Sequence, residues 1–145
     1  MKKVKIIALI MALLLVSALI ISCSCSENYQ ELEALTCEFI DTLIADDKAN
    51  ARALLDDIIT DESFEKSYPD LVNYVKGVGE YELKQTAWQT KRSNGTTYRY
   101  AEYRMTADEK TFTVVVGTKT DGKLCTFNIS LDGGKGAESS SQLDA

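Results

Sequence analysis

The sequence predicts an α+β domain in which helices come first and one antiparallel meander with a single apolar face follows. Three observations predict it. Apolar residues recur at three- and four-residue steps in the first part of the chain and at two-residue steps after Gly79. Two dipeptides, Asn94-Gly95 and Asp121-Gly122, are preferred two-residue hairpin turns. The registers these turns impose sort the strand residues into an apolar set and a polar set.

The first helix is expected over about 29–45. Leu32, Leu35, Phe39 and Leu43 line one face, Ile40 and Ile44 widen it, and Cys37 lies on the same flank. Asp46 or Asp47 caps a second helix over about 48–59, carrying Ala51, Leu54, Leu55 and Ile58. Pro69 opens a short third helix with Leu71, Val72, Tyr74 and Val75, and Gly77 and Gly79 end it. Strands follow near 80–92, 97–106, 111–119 and 124–131, with Asp108-Glu109 at the tip of the middle turn.

Directly opposed residues share a face of the sheet. Across Asp121-Gly122, Thr118 is set against Cys125, Val116 against Phe127, Val114 against Ile129, and Phe112 against Leu131. Across the middle turn, Met105 meets Phe112, Tyr103 meets Val114, and Ala101 meets Val116. Across Asn94-Gly95, Trp88 meets Ala101 and Thr86 meets Tyr103. The apolar face therefore holds Trp88, Ala101, Tyr103, Met105, Phe112, Val114, Val116, Cys125, Phe127, Ile129 and Leu131. The other face is polar except for Tyr98, Tyr100 and Val115. The helices are expected to cover the apolar face.

The first 22 residues carry Lys2, Lys3 and Lys5, then an apolar run from Ile6 to Ile21. This is the pattern of a secretory signal. Its end, Ile20-Ile21-Ser22-Cys23, resembles the lipobox of bacterial lipoproteins. The resemblance implies cleavage before Cys23, lipid attachment at its sulfur, and a mature chain held on the extracytoplasmic side of the bacterial cell membrane. A diacylglyceryl group supplies the two chains that stable anchoring needs. The alternatives are simple secretion or an uncleaved helix. The second is disfavoured because a sixteen-residue run, apolar but for Ser17, spans about 24 Å, short of a ~30 Å hydrocarbon core. The expected organisation is leader 1–22, tether 23–28, domain 29–131, and a disordered Gly/Ser-rich tail 132–145.

The order of helices followed by a curved meander also resembles the nuclear-transport-factor-2-like, or cystatin-like, superfamily. Gly77-Val78-Gly79 leading into the sheet and Asp121-Gly122-Lys123-Leu124 before the last strand carry the likeness. The resemblance implies a cavity between the first helix and the sheet. Some members of that superfamily are isomerases or dehydratases with Asp, His or Tyr in this cavity, and others only bind.

Composition narrows the choice. Without the leader, 13 basic residues face 22 acidic ones, a net charge of −9. Such a chain lacks the basic footprint that nucleic acid requires. There is no histidine, which removes histidine-activated nucleophiles and the commonest metal ligand. No cofactor motif is present.

Trp88, Tyr103, Phe39 and Phe127 are the candidate lining of a pocket for a small apolar ligand; ordinary core packing is the competing reading. No carboxylate falls among them. Cys37 and Cys125 are the candidate disulfide pair, with two buried thiols as the alternative, and Cys25 has no partner in the sequence. Asp46-Asp47, Asp56-Asp57 and Asp61-Glu62 fit no calcium-loop spacing and read as helix caps. Tyr98 and Tyr100 on the outer face are a candidate patch for an envelope protein. The expected function is a non-enzymatic, lipid-anchored binding or protein-interaction module of the envelope. A cavity enzyme and a purely structural accessory domain are the alternatives.

Overall fold

A computed structural model of the chain describes residues 27–120, 122–133 and 140–143. The leader, Cys23, Cys25 and most of the tether lie outside the described residues. No helix among the described residues is long and apolar enough to cross a membrane. The described residues from Glu31 onward form one compact unit, whose architecture is helices packed on an antiparallel sheet.

Three helices come first: α1 (Glu27–Ile44), α2 (Lys48–Ala53) and α3 (Asp61–Val75). The buried face of α1 holds Leu32, Thr36, Phe39, Ile40 and Leu43. Thr36 is a polar residue within this stripe. Its hydroxyl donates to the Leu32 carbonyl at 2.6 Å, so its burial leaves no donor unmatched. Leu35, expected on the stripe, is half-buried at its edge. The helix ends in a paired cap. Asp46 N–H donates to Leu43 O and Asp47 N–H to Thr42 O, with Asp46 in the left-handed region at φ 52°. Asp47 then caps α2, its carboxylate accepting from Asn50 N–H at 3.2 Å.

The second helix is shorter than the 48–59 expected. It stops at Ala53 because the next residues are taken by the sheet. Leu124 N–H donates to Leu54 O at 3.0 Å and Asp56 N–H donates to Leu124 O at 2.8 Å, so Leu55 forms a parallel bridge with Leu124. Asp56, 6 % exposed, accepts from Ile58 N–H and from Lys119 Nζ, at 2.9 and 2.8 Å. Two main-chain bonds and a shielded ion pair outweigh another helical turn.

The third helix begins eight residues before Pro69 rather than at it. Thr60 is the N-cap, accepting from Ser63 N–H at 3.2 Å, and Asp61 and Glu62 occupy the first turn. Pro69 sits inside the helix on its exposed side. It forfeits one helical hydrogen bond, while Phe64, Tyr68, Leu71 and Val75 hold the helix against the core. Gly77, at φ 77°, turns the chain toward the sheet.

The sheet has the order β1-β2-β3-β4-β5, with β1 (Glu82–Ser93), β2 (Thr96–Ala107), β3 (Lys110–Lys119), β4 (Leu124–Leu131) and β5 (Ser140–Leu143). Asn94 and Gly95 both have positive φ, as a type I′ turn demands. The pairs Trp88–Ala101, Tyr103–Val114, Met105–Phe112, Ala101–Val116, Val116–Phe127, Val114–Ile129 and Phe112–Leu131 form as expected.

Two register details differ, and both arise from an extra residue. Thr86 bulges out of β1, so Gln85 rather than Thr86 faces Tyr103. Cys125 is the extra residue of β4, so Leu124 rather than Cys125 faces Thr118. One described part of the tail also departs from its reading as disordered. Residues 140–143 add β5 antiparallel to β4, with Ser130 paired to Ser140 and Phe127 to Leu143. A Gly/Ser-rich composition gives no sign of this, because backbone pairing to an open sheet edge needs no apolar pattern.

Asp56→Ala removes both the Lys119 partner and the acceptor for Ile58 N–H. We expect it to cost about 2–4 kcal/mol. The measurement is urea unfolding, where the midpoint falls and the slope is unchanged; a shift under ~0.5 kcal/mol would contradict the assignment.

Candidate functional site

The expected pocket between α1 and the sheet is filled. Phe39, Phe127 and Tyr103 are each 0 % exposed, and the two phenylalanine rings meet edge to face with centroids 4.7 Å apart. Trp88 is not with them: it is 63 % exposed. Its register is the expected one, opposite the buried Ala101. However, β1 is the edge strand, and every residue from 86 to 93 is exposed, so the helical layer does not cover it. Leu131 is likewise on the predicted face yet 45 % exposed, at the end of β4.

Cys37 and Cys125 are thiols rather than a disulfide. Cys37 lies on α1 beside Tyr81, just ahead of β1, whereas Cys125 lies on β4, three strands across the sheet from β1. The Tyr81 hydroxyl donates to Asp41 Oδ1 at 2.8 Å and reaches the Cys37 carbonyl at 3.1 Å, tying the start of the sheet to α1. Burial pushes the Cys37 thiol up, and the charges of Glu33 and Asp41 add to this against the Tyr81 hydrogen bond. The thiol is therefore a poor nucleophile at neutral pH. Burial, then the bond to Asp41, pushes Tyr81 far above the usual tyrosine range.

A cavity of about 590 Å³ lies between the C-terminal ends of α1 and α3. Leu43, Ile44, Pro69 and Val72 form its apolar wall, and Asp46 and Lys76 its polar rim. The Tyr68 hydroxyl donates to Asp46 Oδ1 at 3.0 Å. This bond fixes the one residue of α1's cap that a glycine would fill with less strain. Burial, the Asp46 bond and the charges of Asp46 and Asp47 push Tyr68 up to about 12. The sequence marked Asp46 only as a cap and gave Tyr68 no role. Their meeting is a 22-residue contact that no local pattern carries.

The other surface feature is the β1–β2 hairpin. Tyr98 and Tyr100 stack on its outer face with centroids 6.4 Å apart and planes 14° from parallel. The Tyr100 ring lies over Gly117, the residue facing it on β3. A Cβ at Gly117 would meet the ring at 2.7 Å and Thr126 Cγ2 at 2.8 Å. A glycine in a run of β-branched residues was the available signal for such a close approach. A hollow of about 300 Å³ next to it is bordered by Ala87, Trp88, Gln89, Tyr100, Glu102 and Val115.

The acidic pairs serve structural ends: Asp47 caps α2, Asp56 takes Lys119, and Asp61 takes Arg52 Nε at 2.8 Å. Among the described residues, no group of three or more Cys, Asp or Glu side chains is placed to hold a metal ion. No protein-family model, curated protein or solved structure matches the chain.

Two predictions follow from this geometry. Gly117→Ala displaces the Tyr100 ring or spreads β3 from β4, at a cost of about 1–3 kcal/mol, read as a lower thermal midpoint. The fold holds Tyr68 and Tyr81 protonated. Their contribution is therefore complete below the ordinary tyrosine value of 10 and, for Tyr68, is lost as pH rises through about 12. Urea midpoints should be level from pH 7 to 9 and fall above pH 10. Tyr68→Phe should flatten that fall; an unchanged profile would contradict the assignment.

Proposed function

We propose that the chain is a lipid-anchored protein-interaction module of the bacterial cell envelope, carried on a nuclear-transport-factor-2-like domain, and that it performs no catalysis. The anchor rests on the resemblance of Ile20-Ile21-Ser22-Cys23 to a lipobox. The domain reading rests on the succession of three helices and an antiparallel meander.

The observation that favours interaction over small-molecule chemistry is a contrast in burial. The space where a cavity enzyme of that superfamily would bind its substrate is occupied by Phe39, Phe127 and Tyr103, while Trp88 is displayed on the surface at 63 % exposure. Large aromatics are costly to expose and are enriched where proteins dock.

Two measurements test the reading. The intact mass of the membrane-extracted chain should correspond to residues 23–145 plus a lipid; the mass of unmodified 1–145 would remove the anchor. A photo-crosslinking residue in place of Trp88 should give a covalent protein adduct on intact cells, and one in place of Glu62 on α3 should not. Equal labelling from both positions, or none from 88, would remove the hairpin as a docking site.

A further inference from the structure

The β1–β2 hairpin is chemically unlike the rest of the chain. From Leu83 to Ala101 there are four basic residues, Lys84, Lys91, Arg92 and Arg99, and not one acid. The whole hairpin, Glu82 to Ala107, adds Arg104, Glu82 and Glu102 and carries +3; the full chain has a net charge of −6, so −9 falls on everything else. Lys91 and Arg92 are exposed. Among the described residues, Lys91, Arg92 and Arg99 form no ion pair. Cations left without carboxylates on an acidic chain mark a surface that gains by meeting an acidic partner.

The shape of that surface is a strand edge. β1 runs for 12 residues, about 40 Å. Among the described residues it pairs with β2 alone, so its other side is open. An open edge offers main-chain donors and acceptors to an added strand. A second copy of β1 is a poor occupant. Antiparallel pairing centred on Trp88 would set Lys84 beside Arg92, and parallel in-register pairing would set Lys91 beside Lys91. The charges that oppose self-pairing select an acidic strand.

A bilayer surface is also disfavoured. The hairpin tip is Ser93-Asn94-Gly95-Thr96, with no apolar side chain to insert, and Trp88 stands on the order of 15–20 Å back along the strand.

We infer that the open edge of β1 receives an extended acidic segment of a partner protein as an added strand. The register assigns the contacts. Arg92 shares a face with Trp88 and Thr90, and Lys91 shares the opposite face with Gln89. The incoming strand therefore carries carboxylates on both faces opposite Lys91 and Arg92, and an apolar side chain against Trp88. Trp, Tyr and Arg are the residues on which binding energy concentrates. This inference rests on the interaction reading above and names the chemistry of its partner.

Trp88 is the chain's single tryptophan, so its emission reports occupancy of the edge directly. The full chain in a non-absorbing detergent is titrated with a peptide of about ten residues alternating Glu with Val and Thr, a length that fits β1. A blue shift is expected, weakening about tenfold between roughly 50 and 200 mM salt. Lys91→Glu with Arg92→Glu should weaken binding about tenfold or more, whereas Lys123→Glu, away from the edge, should not.

Three outcomes would overturn the inference: no shift with the acidic peptide, an equal shift with a lysine counterpart, or an equal shift with a peptide N-methylated along one edge. A shift with phosphatidylglycerol vesicles but not with the peptide would also overturn it, in favour of a lipid surface. Loss of the peptide response while the Trp88 crosslink persists refutes the acidic-strand partner alone. Loss of both refutes the interaction reading with it.

Discussion

The structure depends on a sheet that can be buried on one side only. The pairings of β2, β3 and β4 place apolar side chains toward the helices, and a shift of one residue would turn that set toward solvent. Tight turns hold the register. Asn94 and Asp108 accept the left-handed conformation that such turns require, at φ 50° and 52°. The bulges at Thr86 and Cys125 absorb one residue each, and the apolar residues on either side stay on the same face. Once the register is set, α1 has one surface to meet. Its stripe of Leu32, Thr36, Phe39, Ile40 and Leu43 has no exposed alternative.

One-sided burial also explains where the chain is left open. The helices cover the middle of the sheet and leave the edge strand β1 in solvent from residue 86 onward. A tryptophan on that strand keeps the facing direction of a core residue without the cover of one. The filled interior and the bare edge are thus one arrangement of the same layers, and together they move the centre of interest from the inside of the domain to its rim.

Much of this was legible in the sequence. The period change at Gly79, the Asn-Gly turn and the facing pairs of β2, β3 and β4 follow from local rules, because hairpin registers are set by neighbours in the chain. The end of α2 was not legible, since Leu54 and Asp56 leave the helix for hydrogen bonds to Leu124, far along the chain. The start of α3 was misplaced because Pro69 is a conspicuous helix opener while Thr60 is a modest one, and burial of Phe64 and Tyr68 outweighed the proline's lost bond. The shared sheet face was legible, and the pocket expected on it was not. Trp88 and Tyr103 share a face, and only the extent of the helical cover separates a displayed ring from a buried one.

The bridge between Leu55 and Leu124 bears on how the domain comes together. It joins residues 55 and 124 across most of the ordered chain, and it does so with two hydrogen bonds and one ion pair where the sequence offered cysteines for a covalent link. A non-covalent closure can open and reform until the strands find their register, whereas a sulfur bridge would fix the first pairing made and await an oxidant to make it. The domain can therefore reach its native state before any oxidising enzyme meets it, and reductant should leave its cohesion untouched.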